Sequence, residues 1–159
     1  MKGAILEKGE ECFTLLKNIF DSINNIQKEY NWLISGYECY PQNIEYSKKL
    51  SGEYCWMTGD ELTNICKNED FQWIWGVFSG FHKSVDKEDV LKNKLPQADG
   101  YTGFWQNPIS IQHPLAEIEI VAWDSSLTII ISKDDNIIEE FRKKIYYQKT
   151  LKNIMNEKS

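Results

Sequence analysis

Arginine is almost missing from this chain. Of its 18 basic residues only Arg142 is an arginine, and the rest are lysines. A site built on planar guanidinium forks for phosphate or carboxylate therefore has a single candidate. Positive charge as a whole is also short. The 24 acidic residues leave a net charge of -6 and a pI near 5.0. The deficit is uneven: residues 1–70 carry 7 lysines against 12 acids, and residues 133–159 carry 7 basic residues against 5 acids. An acidic body repels phosphate backbones, so no nucleic-acid partner is expected, and a basic protein is the partner that the charge favours.

Other absences narrow the field further. No run of 18 apolar residues occurs, so no membrane partner is expected. The opening MKGAILEKGEE has charges every few residues and no apolar centre, unlike a secretory leader. The four cysteines, at 12, 39, 55 and 66, form no CxxC and have no histidine close by in sequence. Zinc sites usually show close ligand pairs, so no metal and no cofactor are expected, and the thiols read as structural ones in a reducing cytoplasm. There is no GxSxG, no Walker loop and no GxGxxG. SVDK at Ser84–Lys87 and GYTG at Gly100–Gly103 match short catalytic or binding patterns, but lack the companions that would give them meaning. No catalytic set is assigned.

What the chain does have is rings. Aromatic residues make up 13% of it, and the densest stretch is FQWIWGVFSGFHK, Phe71–Lys83. Period-two alternation places Phe71, Trp73, Trp75, Val77, Ser79 and Phe81 on one face of a strand, which must be core. Gly76, Phe78, Gly80 and His82 fall on the other. Glycines within a strand can mark a close approach of ligand or backbone, so these four residues form a candidate pocket. His82 is its one candidate for general-base chemistry, with Ser79, Cys66 and Asp86 near it in sequence. His113 precedes Pro114 and reads as a loop residue held extended.

The remaining pattern gives an architecture. Residues 2–7 read as a short strand, Gly9–Tyr30 as an amphipathic helix, and Asn31–Tyr40 as a strand. Ile44–Trp56 is ambiguous and could be a hairpin arm. Thr58 and Glu61 form a capping box that starts a helix over Gly59–Lys67. Phe71–His82 is a strand, and Asp86–Lys92 one or two helical turns. Asn93–Pro108 is a long connection. EIEIVAWDSSLTIIIS reads as two strands around a tight Asp-Ser turn, and KDDN then starts a last helix with Ile137, Ile138, Phe141 and Ile145 on its face. The expected fold is α+β: a mostly antiparallel sheet with helices packed on one face, in a single domain over residues 1–145, followed by a charged tail or frayed helix over 146–159.

Two further features concern recognition. Glu117 and Glu119 share a strand face with Val121 and Trp123, which reads as a solvated, charged surface. Tyr101, Phe104 and Trp105 lie in the polar long loop, where exposed rings are typical interface anchors. NWLISGYECY after a first helix, the central WIWGVFSGF and the terminal EIVAWDSSLTIIISKDDNIIEEF together resemble a layout of small uncharacterised Gram-positive bacterial proteins. Acidic cytoplasmic proteins of similar layout are common among immunity proteins that neutralise toxins. The resemblance implies a non-enzymatic cytoplasmic protein-binding module for a basic toxin, and it carries over no residue. The residues themselves suggest Tyr101, Phe104, Trp105, Glu117 and Glu119 as the partner-binding face. Two alternatives stand beside this reading: a small hydrolase or ligand-binding enzyme centred on His82, and a structural domain with no site.

Overall fold

The computed structural model describes residues 1–6 and 15–145. Its centre is one six-stranded antiparallel sheet, of spatial order β1-β6-β5-β4-β2-β3. The strands are β1 (Lys2–Leu6), β2 (Tyr30–Cys39), β3 (Tyr54–Thr58), β4 (Trp73–His82), β5 (Ile118–Trp123) and β6 (Leu127–Ser132). The helices are α1 (Leu16–Ser22), α2 (Ile44–Lys49), α3 (Gly59–Asn68), α4 (Lys87–Leu91) and α5, residues 135–145. The fold is α+β, as the alternation of the sequence requires.

Local chemistry explains most boundaries. Thr58 Oγ1 accepts the Glu61 amide at 3.1 Å, which starts α3 where the capping box places it. The Glu61 carboxylate turns outward to Lys49, 3.3 Å away. Asn43 caps α2 by accepting the amides of Glu45 and Tyr46, so the ambiguous 44–56 region divides into a helix and then β3. The β5–β6 turn places Asp124 and Ser125 at φ 47° and 55°. Two consecutive left-handed residues are the signature of a type I′ hairpin, whose twist matches the strands. Asp134 Oδ1 accepts the Asn136 amide at 3.0 Å at the start of α5.

The first helix is shorter than its apolar stripe suggests. Asn24 and Asn25 adopt φ 58° and 57°, which ends α1 after Ser22, and a 3-10 turn then spans Ile26–Glu29. Asparagine tolerates the left-handed region better than other non-glycine residues. Tyr30, expected as the last helical residue, instead opens β2. Residues 9–14 of the expected helix lie outside the described residues, as do Cys12, Phe13 and the tail from 146.

The turn after α1 also anchors the sheet. Gln27 is fully buried, and its amide nitrogen donates to Thr63 Oγ1 at 3.0 Å. Thr63 in turn donates to the Gly59 carbonyl at 2.7 Å. Trp32, fully buried on β2, donates from its indole nitrogen to the Gln27 carbonyl at 2.9 Å. The 3-10 turn, α3 and β2 are thus tied together at one polar node inside apolar packing.

Both faces of the sheet are covered. On one face α1, α3 and α5 bury Leu16, Ile19, Phe20, Leu62, Ile65, Ile138 and Phe141 against Trp32, Ile34, Trp73, Phe78, Ile120 and Ile130. The other face is covered by the long stretch between β4 and β5, which adds Val90 of α4, Ala98, Phe104 and Ala116 to Leu33, Val77, Phe81, Val121, Ile129 and Ile131. The three larger helices therefore share a face as expected, but the opposite face is not left to solvent. The connecting segment is a layer of the fold.

Replacing Thr58 by alanine removes the cap and leaves an orphan amide at the start of α3. We expect a loss of about 1 kcal/mol, measured by urea unfolding, with an unchanged denaturant slope.

Candidate functional site

The dense aromatic strand does not keep simple alternation. Between Ser35 and Glu38 the β2–β4 register shifts, and it shifts again between Glu38 and Cys39. Gly36 stands inside the first irregularity at φ 54°, a backbone conformation that glycine adopts without strain. The second shift passes over Ile74 of β4 and changes the phase of that strand. Trp73 turns to the helix side, where it is 1% exposed and meets Phe78 edge-on at 4.7 Å. Trp75 turns to the opposite side with Val77 and stays half-buried. The expectation that Phe71, Trp73 and Trp75 share one core face with Val77 is corrected: the bulge separates them, and Phe71 packs with Trp73 on the helix side.

Three tryptophans then form a row on the loop side. Trp75 meets Trp123 at 5.1 Å, and Trp123 meets Trp105 at 5.3 Å, both edge-on. Trp105, on a 3-10 turn over Gly103–Trp105, is 51% exposed. Trp75 also lines an open cleft of about 360 Å³ together with Tyr37, Glu38, Glu53, Gln97 and Asp99. Three carboxylates therefore stand beside aromatic walls. Tyr37 is fixed by a 2.8 Å hydrogen bond from its hydroxyl to the Gly52 carbonyl, and burial pushes that hydroxyl up to about 12, so it acts as a neutral donor.

The five residues expected to form a binding face do not stay together. Trp105 is exposed and Tyr101 half-exposed, with Tyr101 stacked edge-on against Phe104 at 4.7 Å. Phe104 is only 4% exposed, a plug in the loop layer rather than a surface anchor. Glu117 is half-exposed and pairs with Lys133 at 3.5 Å, at the opposite end of β5 from Trp123, roughly 20 Å along the strand. Glu119 is fully buried. The solvated strand face expected for it does not exist, because the loop layer lies over it. Both oxygens of Glu119 accept the Gln112 amide at 3.2 Å, and the His113 amide adds a further bond. Burial outweighs these bonds and pushes its carboxyl up to about 7.

The expected pocket is likewise filled. A Cβ on Gly80 would stand 2.5 Å from Ile118 Cγ2 and 3.0 Å from Trp32, so the glycine admits a packed indole rather than a ligand. Phe78 is buried in the helix-side core, and the space next to Gly76 is taken by the rings of Phe78 and Trp73. His82 is exposed at the end of β4, where its Nδ1 accepts the Ser84 amide at 3.2 Å. The closed pocket around His82 required by the enzyme alternative is not formed. His113 is the buried histidine: its Nδ1 accepts the Leu115 amide at 3.1 Å and its Nε2 donates to the Val90 carbonyl at 3.0 Å, with burial lowering its pKa.

Burial also pushes the thiols of Cys39 and Cys66 up to about 12, which leaves them protonated and poor nucleophiles. Among the described residues no three His, Cys, Asp or Glu side chains converge to hold a metal ion, and no helix is long and apolar enough to cross a membrane. No known protein family, curated protein or solved structure matches the chain.

The two kinds of tryptophan should separate on mutation. Trp73→Ala is expected to cost about 3–5 kcal/mol of stability through an unfilled core volume. Trp105→Ala should cost only about 0.5–1.5 kcal/mol, the worth of its edge-on contact with Trp123. Thermal and urea unfolding of the two variants check the contrast, and a large loss for Trp105→Ala would contradict its surface placement.

Proposed function

We propose that this chain is a non-enzymatic cytoplasmic protein-binding module that engages a basic protein, in the manner of an immunity protein masking a toxin. The observation that carries this reading is the tryptophan row that runs from exposed Trp105 through Trp123 to Trp75, ending at the cleft of Glu38, Glu53 and Asp99. Interface hot spots favour large rings that bury much area at low entropic cost, and tryptophan leads them. Carboxylates beside rings suit ammonium and guanidinium groups, which can take charge pairing and a ring face together. The net charge of -6 adds long-range steering of a basic partner. Tyr101, half-exposed next to Phe104, extends the same surface. Glu117, at the far end of β5, is outside it.

The test begins with affinity capture from lysate of the producing cell, followed by binding of the purified partner to wild type and to Trp105→Ala combined with Glu53→Lys. A basic partner is expected, bound more weakly as salt rises. The double variant should bind at least about 30-fold more weakly, the effect of losing one hot spot of about 2 kcal/mol. A captured partner that binds the double variant undiminished would overturn the reading, as would wild-type protein that captures nothing.

A further inference from the structure

We propose that Glu119 is a protonation-dependent latch, which seats the long cover segment on the sheet while its carboxyl is neutral and loosens it when that carboxyl ionises. The argument starts from how the cover is held. Its buried apolar side chains are few, Pro96, Ala98, Phe104 and Ala116 with Val90 from α4, and Leu95, Tyr101, Ile109 and Ile111 pack half-buried beside them. The rest of its attachment is polar. Ser35 donates to the Pro96 carbonyl at 2.8 Å, His113 donates to the Val90 carbonyl, and Glu119 receives the amides of Gln112 and His113. Of the sheet side chains in these bonds, only Glu119 can change charge.

Apart from the Gln112 and His113 amides, the environment of Glu119 offers no positive charge to balance a carboxylate. Ser79 stands directly opposite on β4 and Ile131 directly opposite on β6. Ser79 is fully buried, and its hydroxyl oxygen has no hydrogen-bond partner. β2 faces this layer with Leu33 and Ser35, and β6 with Ile129 and Ile131. From α4, Val90 points inward while Lys87, Glu88, Asp89 and Lys92 are exposed. In the cover, Lys94 and Asp99 are exposed, and Glu117 pairs with Lys133. His113 is the other buried titratable group of this layer among the described residues, and its ring is committed to Val90 and Leu115.

Opening has a route. Gln112, whose backbone the latch holds, also lines a surface cleft of about 310 Å³ with Asn93, Lys94, Leu95, Gln97, Tyr101 and Pro114. Its side chain bridges to Gln97, donating to the Gln97 carbonyl at 3.0 Å. Lifting this cleft wall would hydrate both the Glu119 carboxylate and the orphaned Ser79 hydroxyl. The direction follows from linkage. A carboxyl that titrates near 7 when seated and near 4.5 when hydrated binds its proton more tightly in the closed state, so closure is strongest at low pH and weakens as pH rises between those values. His113 has the opposite sense: its lowered pKa makes acid, not base, the destabilising condition. The same segment carries Tyr101 and Trp105, so the consequence for binding rests on the proposed function, while the latch itself does not.

Amide hydrogen exchange on the protein alone separates the two. Rates are corrected for intrinsic chemistry and compared at pH 5 and pH 9 for wild type and Glu119→Gln. Protection across residues 93–116 should fall in wild type by up to about 75-fold between pH 5 and pH 9, the ratio the two pKa values set with the hydrated carboxyl already largely ionised at pH 5, while β4 amides keep more of theirs. In Glu119→Gln, which keeps an acceptor and cannot ionise, that dependence should vanish. Equal protection of the wild-type cover at both pH values would overturn the latch. So would an unchanged pH dependence in Glu119→Gln, or an equal loss across cover and β4. If the variant does not fold, the side-chain carboxyl carbon resonance of Glu119 in wild type decides: titration near 7 supports the latch, and titration in the ordinary carboxylate range overturns it. Failure here leaves the partner reading intact, because no partner enters the measurement.

Discussion

The irregular pairing of β2 with β4 is the constraint on which the rest of the surface depends. A regular ladder would put Trp73 and Trp75 on one face. With Gly36 at φ 54° and the register shifted on either side of Glu38, the two indoles part. Trp73 becomes the centre of an aromatic packing group with Phe71, Phe78 and Tyr37. Trp75 becomes the inner end of the surface row. The two irregularities leave Glu38 opposite Trp75, so the same distorted stretch of the ladder supplies both a ring and a carboxylate of the cleft. Bulges commonly re-aim side chains in this way next to functional sites.

Much of the fold was legible because its signals are local. The hairpin of β5 and β6, the Thr58 cap, the α5 start and the span of β4 each depend on residues within a few positions of one another. The errors about the sheet's faces share one cause, which is that faces were assigned by alternation alone. Alternation says that Glu119 sides with Val121, and this is correct, since both lie on the loop side. It does not say what covers that side. The cover is a stretch from Ser84 to Glu117 with little regular structure, and its apolar contributions, Val90, Ala98, Phe104 and Ala116, are too scattered to form a period. Phe104 and Trp105 are neighbours in sequence with opposite fates, one 4% and the other 51% exposed, because a 3-10 turn points successive side chains in different directions. The cleft was unreadable for a different reason: residues 38, 53, 75 and 99 meet only through the tertiary fold.

The two faces of the sheet differ in how they are held. The helix side gathers most of the buried apolar side chains into a single cluster, with regular helices whose backbone groups are internally satisfied. The loop side splits into two smaller clusters and ties irregular backbone down by side-chain bonds from Ser35, His113 and Glu119. Local stability follows apolar contact and hydrogen-bond density, so the loop side is the one expected to open first.

A binding surface placed on that layer carries a physical cost and a physical opportunity. Rings carried on backbone that a partner must order lose entropy on binding, which lowers affinity per unit area. Here Trp75 and Trp123 are not on the irregular cover. They stand on β4 and β5, and only Trp105 and Tyr101 ride on the cover. The row is thus rigid at its inner end and adjustable at its outer end. On the proposed reading, the carboxylates and the strand tryptophans set where a basic partner docks, while Trp105 governs how fast it leaves. A change in the seating of the cover would then act mainly on dissociation, since electrostatic steering by fixed charges is untouched by it.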